Sequence, residues 1–492
     1  MPTYEFDIGI IGGGAAGLTV ASGAAQLGAK TVLIEKEPAL GGDCLHFGCV
    51  PSKTLIRTAH VCHLIRNARR FGLPPVTPGP VDFREVAARI QSVISAVQQH
   101  DSEERFCKLG ARVLFGEPRF ADEHTVSLGG KRVSARSWVI ATGSSAVAPP
   151  LPGLAETPHV TNRGIFSLER LPATMVILGA GPIGIEMAQA FARLGTGVTV
   201  VDRAGRILPR EDADMSNVLV QVLQAEGVTF HLDSAIEGMR DLGAEREVTI
   251  RQGESLTVLR AELVLVALGR SPNTRGLGLD GIGVELSPRG GLRTDSRLRT
   301  TRKHIYAAGD ATGQYLFTHA AGYEGGIVVA NAVLRLPRSV DYRWFPWCTY
   351  TDPELASIGM NEGMAREAGI EHSVVAEEFR ANDRALAEDE TVGKVKLVLD
   401  ARERPIGVQI LGPRAGDLIA EWAAVLNGGV KLSTLASTVH PYPTLGEINK
   451  RVAGAYLAPK IFSERVRKGL RLFFNLKGRA CGPELPGTGC DT

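Results

Sequence analysis

The chain has 492 residues, 44% of them hydrophobic and 22% charged, and a formal net charge of +2. That balance excludes an intrinsically disordered chain, which needs low hydrophobicity with high net charge, and it lacks the strongly basic signature of a nucleic-acid binder. Seven cysteines, an odd number, exclude a complete set of internal disulfides, and the length predicts about three domains.

The N-terminus, Met1 to Asp7, runs straight into a strand, without the charged and apolar regions of a secretory signal. No apolar run approaches the roughly 20 residues of a spanning helix, so a reducing cytoplasm is the expected location. Phe6–Lys36 then reads as strand, glycine-rich turn, helix and strand. The turn is Gly12-Gly13-Gly14-Ala15-Ala16-Gly17 and the second strand ends at Glu35, next to Lys36. Gly41–Lys53 follows, with Cys44 and Cys49 ahead of an apolar run, Thr54–Ile65, that reads as a helix. Pro74–Pro80 is a loop. Trp138–Gly143 is a short strand entering a turn at Ala141, Thr142 and Gly143. Pro149–Gly153 reads as a linker.

Met175–Arg203 repeats the first pattern. Its turn is Gly179-Ala180-Gly181-Pro182-Ile183-Gly184, and its closing strand ends at Asp202. In both copies the acid lies 23 positions after the first glycine. One such motif is weak; two after β-branched strands, each closed by an acid at the same offset, are strong. The first glycine makes the turn, the second admits a pyrophosphate and the third lets helix and strand approach. The helix N-terminus offers N–H groups to phosphates, and Glu35 and Asp202 accept from ribose hydroxyls. Leu263–Gly269 is a further strand. Beyond about Val340 strands such as Thr391–Asp400 and Pro405–Leu411 alternate with helices such as Gly416–Leu426, which predicts an α+β domain.

Thiols near a helix N-terminus have lowered pKa values, and such a pair cycles between dithiol and disulfide. Zinc is the competing reading, but no second close pair completes a tetrahedral set; His46 and His63 stand at non-standard spacing. No resident metal site is expected.

Gly41–Lys53 closely resembles the active-site signature of the class I flavin-dependent pyridine nucleotide-disulfide oxidoreductases, which include dihydrolipoamide dehydrogenase, glutathione reductase and mercuric reductase. Thr301–Gln314, containing Gly309-Asp310, is similar to that family's second FAD contact. Ala267–Thr274 is similar to its crossover strand, and Thr349–Glu354 to the start of its dimerisation domain. The resemblance spans nearly the whole chain. It implies an α/β fold with two Rossmann-like domains, for FAD and NAD(P), plus a C-terminal α+β dimerisation domain. The implied boundaries are 1–150 and 275–340 for FAD, 151–274 for NAD(P), 341–465 for dimerisation and 466–492 for a tail.

The resemblance also implies roles. Gly12, Gly14, Ala16, Gly17, Glu35, Lys36, Gly42, Lys53, Ala141, Thr142, Gly143, Asp310 and Thr318 serve FAD. Gly179, Gly181, Gly184, Asp202 and Gly269 serve NAD(P)H. Cys49 is the thiolate against the flavin and Cys44 the interchange thiol. Lys53 pairs with Glu186, since either charge buried alone is costly. Asp310 bonds the ribityl chain, and a helix starting near Thr318 aims its dipole at the flavin. Asp202 favours NADH over NADPH, whereas Arg203 and Arg206 act in the opposite sense.

One motif departs from the pattern. Thiol-substrate members carry His-Pro-Thr-x-x-Glu, with the His as acid/base oriented by the Glu. Here the chain reads His440-Pro441-Tyr442-Pro443-Thr444-Leu445-Gly446-Glu447, which puts Tyr442 at the catalytic position and His440 two residues earlier. Tyrosine, with a pKa near about 10, is a poor base, and a thiolate-bound metal needs no proton delivered to a leaving sulfur. Mercuric reductases show a similar Tyr pattern, but their C-terminal vicinal cysteine pair is replaced here by Cys481 and Cys490, nine apart. Lys450–Lys477 is strongly basic, with Phe462, Val466, Leu470, Phe473 and Phe474 near helical spacing. A terminal helix packing its apolar stripe on the body is the expectation; a membrane-surface or protein-partner contact is the alternative.

The expected function is a homodimeric flavoenzyme whose active site is completed across the interface. It passes electrons from NAD(P)H through FAD and the Cys44–Cys49 pair to a thiolate-bound metal, as mercuric reductases do. Dihydrolipoamide-type exchange with a small thiol or disulfide, using His440 as base, is the second reading. An electron-delivering subunit of a multienzyme or membrane-associated assembly is the third. No nucleic-acid partner is expected.

Overall fold

A computed structural model describes residues 3–478. Cys481 and Cys490 lie outside the described residues. The chain divides into two compact units, one ending at Tyr342 and the other beginning at Arg343.

The first unit opens with β1 (Phe6–Ile11), α1 (Ala15–Gln26) and β2 (Thr31–Glu35). All of β2 is buried, as a strand covered on both faces requires. Next come α2 (Gly42–Phe47), α3 (Cys49–Arg66), α4 (Phe83–Gln98) and α5 (Glu103–Lys108). Strands β3 (Ala111–Phe115), β4 (Pro118–Asp122), β5 (Thr125–Leu128), β6 (Lys131–Ile140) and β7 (Ser144–Ala146) complete the first half. The second copy runs β8 (Thr174–Leu178), α6 (Pro182–Leu194), β9 (Gly197–Val201), α7 (Ala213–Ala225) and β10 (Thr229–His231). An antiparallel sheet of β11 (Ala235–Asp241), β12 (Arg246–Gln252) and β13 (Ser255–Ala261) leads to β14 (Leu263–Val266), β15 (Arg270–Pro272), β16 (Ile305–Ala307) and α8 (Thr318–Ala332).

The larger sheet has the order β3-β2-β1-β6-β5-β4, with β16 beside β6. Ile10 of β1 sits opposite Leu33 and Val139, parallel to both neighbours. The smaller sheet, β10-β9-β8-β14, repeats this arrangement: Ile177 of β8 sits opposite Val200 and Leu265. In each copy the chain leaves the central strand for one side and later returns on the other. Both glycine turns therefore open at a topological switch point, at the carboxyl edge of the sheet, where open α/β sheets bind ligands. Ile10, Val20, Leu33, Val139 and Val328 fill the core of the first copy; Val176, Leu178, Val201 and Val264 fill that of the second. Strands β7 and β15 pair antiparallel, so the chain crosses from one half to the other as a two-stranded ribbon.

The second unit is an antiparallel sheet of β17 (Pro346–Thr349), β18 (Glu354–Gly359), β19 (His372–Glu378), β20 (Lys394–Asp400) and β21 (Pro405–Gly412), in the order β17-β18-β21-β20-β19. Its helices are α9 (Glu362–Glu367), α10 (Asp383–Glu388), α11 (Ala415–Asn427), α12 (Leu432–Ser437), α13 (Glu447–Ile461) and α14 (Glu464–Phe474). Trp422, Phe379, Ile410 and Ile448 lie at its centre. The buried Trp422 Nε1 donates to Asn449 Oδ1 at 2.8 Å, satisfying its polar end.

Three local expectations change. Helix α3 starts at Cys49 rather than Thr54, because Pro51 falls in the first turn, where a missing N–H costs nothing. Strand β20 starts at Lys394 rather than Thr391. Gly393 has φ +113° and lies against the Leu411 carbonyl, so the ladder cannot extend through it. The expected packing of the terminal apolar stripe on the body is overturned: no residue of α14 is buried. Among the described residues no helix is long and apolar enough to cross a membrane.

Candidate active site at the dithiol

The two glycine turns share one construction. A methyl group on Gly17 would lie 3.0 Å from the Gly12 carbonyl carbon and closer still to its oxygen; one on Gly184 would lie 3.1 Å from that of Gly179. These third glycines let helix and strand touch. The middle glycines face space: Gly181 has nothing within 4 Å of such a group, and Gly14 has only the Gly42 Cα, at 3.8 Å. Helices α1 and α6 begin there without a side-chain cap and without an acid in the first turn, so their N–H groups remain available as donors. Each closing acid holds its own turn. Glu35 Oε2 accepts from Gly13 N at 2.5 Å, and Asp202 Oδ2 accepts from Ala180 N at 2.6 Å. Lys36 is exposed just past β2. An uncapped helix end, a cradle that any Cβ would fill and an adjacent carboxylate fit the pyrophosphate and ribose of a dinucleotide, twice.

The first turn also carries the cysteines. Gly42, at φ +61°, approaches so closely that a methyl group on it would meet the Gly14 Cα at 2.7 Å, and Gly41 N donates to Gly13 O at 2.8 Å. Helix α2 presents Cys44; after Gly48, α3 begins with Cys49 itself, again with no acid in its first turn. Cys49 Sγ lies 3.4 Å from Oγ1 of Thr318, the first residue of α8. A hydrogen bond from Cys44, aided by Thr318 and the charge of Lys53, lowers the Cys49 pKa to about 6 against opposing burial and the charge of Glu186. The same bond, with burial and the charge of Cys49, pushes Cys44 well up. These shifts favour the thiolate on Cys49 and the proton on Cys44. Lys53 Nζ meets Glu186 Oε2 at 2.7 Å, joining α3 to α6.

A second set of contacts ties this turn to the crossover ribbon. Arg270 Nη2 donates to Asp43 Oδ2 and to the Ser144 carbonyl, both at 2.8 Å, and its Nε donates to Ser144 Oγ at 2.8 Å. Ser144 Oγ donates in turn to Asp310 Oδ2 at 2.5 Å. Asn162 Nδ2 reaches Asp43 Oδ2 at 3.1 Å and the Phe47 carbonyl at 3.1 Å. Burial raises the Asp310 pKa, opposed by Ser144 and Arg270. Thr142 Oγ1 donates to Asn273 O at 2.6 Å and Asn273 N donates to Gly143 O at 2.9 Å, whereas Gly269 lies at the other end of the ribbon, where its carbonyl accepts from Val147 N at 3.0 Å.

In the second unit, His440 Nε2 lies 2.9 Å from Glu421 Oε1 and its Nδ1 3.2 Å from the Thr438 carbonyl, so both ring nitrogens face acceptors. Asn449 Nδ2 steadies Glu421 at 2.9 Å. Tyr442 is 71% exposed, and its hydroxyl donates to Asp383 Oδ2 at 2.9 Å, which raises its pKa. Glu447 accepts from Thr444 N at 3.4 Å; the carboxylate on the imidazole is that of Glu421.

Residues 6–325 match the pyridine nucleotide-disulphide oxidoreductase family. The chain belongs to this family. Residues 345–453 match its dimerisation domain. A mercuric reductase of Bacillus cereus is 33% identical over 466 residues, covering 94% of this chain and 73% of the relative. A dihydrolipoamide dehydrogenase of Chaetomium thermophilum is 35% identical over 467 residues, covering 91% and 90%. Among solved structures, the HOCl-induced flavoprotein disulfide reductase RclA from Escherichia coli superposes with a TM-score of 0.82 at 29% identity, over 91% of this chain and 99% of that one; it has also been solved as a Cu(II) complex. Members of this family are FAD-dependent enzymes that use NAD(P)H.

Asp43, Ser144, Asn162, Arg270 and Glu421 are the functional candidates that sequence reasoning missed. Arg270 carried one signal, a lone cation directly after Gly269 in an otherwise neutral stretch. Asp43 and Ser144 carried none, because their partner is 227 and 126 residues away.

Proposed function

We propose that this oxidoreductase reduces a thiolate-bound soft metal ion, using NADH. Tyr442 carries the reading: where thiol-substrate members place an imidazole, a phenol stands with its proton held on Asp383 and its pKa raised. FAD, when bound, relays the electron pair of NAD(P)H to the Cys44–Cys49 disulfide. Two electrons and one proton convert that disulfide into the Cys49 thiolate and the Cys44 thiol. A soft metal displaces the Cys44 proton and is held by both sulfurs. A second NAD(P)H supplies, through FAD, the two electrons that reduce the bound ion, which departs and leaves both sulfurs as thiolates, so no acid is required at position 442. The similarity to mercuric reductases and to a reductase solved with Cu(II) supports this acceptor class. Asp202, on the rim of the second turn, supports NADH, because a 2′-phosphate there meets a carboxylate. The working molecule is a cytoplasmic homodimer in which each second unit completes the partner's site.

One observation favours a second reading. The His440–Glu421 pair is an oriented imidazole of the kind that dithiol exchange requires. Steady-state oxidation of NADH and NADPH with Hg(II) thiolate, Cu(II), lipoamide and glutathione disulfide separates the two. Metal-dependent turnover lost in Cys44→Ser and retained in Tyr442→Phe and His440→Ala is the expected outcome. Strong lipoamide turnover abolished in His440→Ala would overturn it.

A further inference from the structure

Helix α14 lies beyond the matched dimerisation domain, which ends at residue 453, and its two faces differ sharply. At 100° per residue, Val466, Leu470, Phe473 and Phe474 fall within an arc of about 100°. Among the described residues none is buried: their exposures are 39%, 39%, 81% and 70%. Arg465, Lys468 and Arg471 occupy the opposite arc with Glu464, the only acid of the helix, and Arg467 flanks the stripe beside Phe474, although Leu472 also projects into the charged arc. Ser463 caps the helix by accepting from Val466 N, so the segment is a defined helix with its stripe unburied. Ile461 and Phe462, immediately before it, are 53% and 64% exposed.

We propose that α14 docks this enzyme on an anionic lipid surface. Charge complementarity selects that occupant. Five cations against one acid over 464–477 match anionic headgroups, and their long stems let the charges stay at headgroup level while two adjacent phenylalanines enter the acyl boundary. A helix of 11 residues is about 16 Å long, too short to span a bilayer and suited to lying in its plane. The proposal is independent of the metal reading, since it concerns residues outside the dithiol and nucleotide sites.

The test is flotation of the FAD-loaded full chain with vesicles of phosphatidylcholine, alone or with about a quarter phosphatidylglycerol. Binding to anionic vesicles about tenfold or more tighter than to neutral ones, weakened as salt rises from about 0.1 to 0.5 M, is expected. Phe473→Glu with Phe474→Glu abolishes it, and neutralising Arg465, Arg467, Lys468 and Arg471 to Gln removes the preference for anionic lipid. Both variants keep the flavin spectrum and the molecular mass of the wild type. No partitioning, or partitioning indifferent to lipid charge, overturns the proposal. So does a drop in oligomeric mass in the phenylalanine variant, which would make a second copy of the chain the occupant.

Discussion

Gly14 and Gly17 stand three residues apart in one turn, and substitutions at them should fail in opposite ways. A methyl group at Gly17 meets the Gly12 carbonyl carbon at 3.0 Å and Ile10 Cγ2 at 3.3 Å, so α1 must back away from β1. Overpacking of this kind costs about 1–3 kcal/mol, which lowers Tm by roughly 2–12 °C for a domain of this size. Gly14 differs. It is the N-cap of α1, its φ of −86° and ψ of −172° suit any residue, and the space above it is open. Gly14→Asp supplies a cap and a negative charge to the helix N-terminus, a gain of about 0.5–1 kcal/mol. The same carboxylate occupies the donors a pyrophosphate needs and repels it. With a phosphate charge within about 5 Å and an effective dielectric near 20, the repulsion is about 3 kcal/mol, or about two decades of FAD affinity. The assay is thermal unfolding of flavin-free protein together with FAD titration by fluorescence quenching. Gly17→Ala should melt early; Gly14→Asp should melt no earlier than wild type yet bind FAD about a hundredfold more weakly. Wild-type FAD affinity in Gly14→Asp, or an undisturbed apoprotein Tm in Gly17→Ala, would refute the division of labour between the two glycines.

Alkylation of the reduced enzyme by iodoacetamide should show an inflection near pH 6 from Cys49, and Cys44→Ala should move it upward, because the Cys44 hydrogen bond is the largest cause of the lowering; an unmoved inflection would assign the thiolate elsewhere. Asp202→Ala should shift the NADPH-to-NADH preference, measured as a ratio of kcat/KM, toward NADPH by about tenfold; an unchanged ratio would remove Asp202 from the ribose site. Burial raises the Glu324 pKa to about 7 despite bonds from Tyr342 Oη and Gly309 N. A carboxyl whose folded pKa is raised binds protons more tightly in the native state, so it favours folding most below its unfolded pKa. That contribution is lost as pH rises through about 7. In urea unfolding, wild type should lose stability between about pH 4.5 and 7 relative to Glu324→Gln; parallel pH profiles would count against the burial argument.

Much of the first unit was legible because its decisive interactions are local. Strand, turn, helix and acid recur inside about thirty residues, and glycine spacing encodes how closely backbone can approach backbone. The dithiol was legible for the same reason. The resemblance also assigned the thiolate to Cys49, but the contact that favours it there is not local: the Thr318 hydroxyl that faces Cys49 comes from 269 residues away. The Arg270 contacts are equally long-range, and a single arginine in sequence does not announce three acceptors in space. In the second unit, the tyrosine substitution was plain, but the Glu421 partner of His440 depends on how α11 packs against α13. The packing of α14 was misjudged because periodicity reports that a stripe exists and carries no information about what covers it.

Arg270 also sets an order of events during synthesis. The ribosome delivers Cys44 and Cys49 more than two hundred residues before Arg270, and Asp310 later still. Until then Asn162 can reach Asp43, but the turn lacks its arginine tie to the ribbon. The chain from Cys49 to Arg270 takes roughly 10–45 s to emerge at about 5–20 residues per second, and through that interval the turn carries the dithiol without its arginine tie. The bond to Asp43 then acts as a closing step: the turn is joined to the ribbon only after most of the nucleotide-binding chain has emerged.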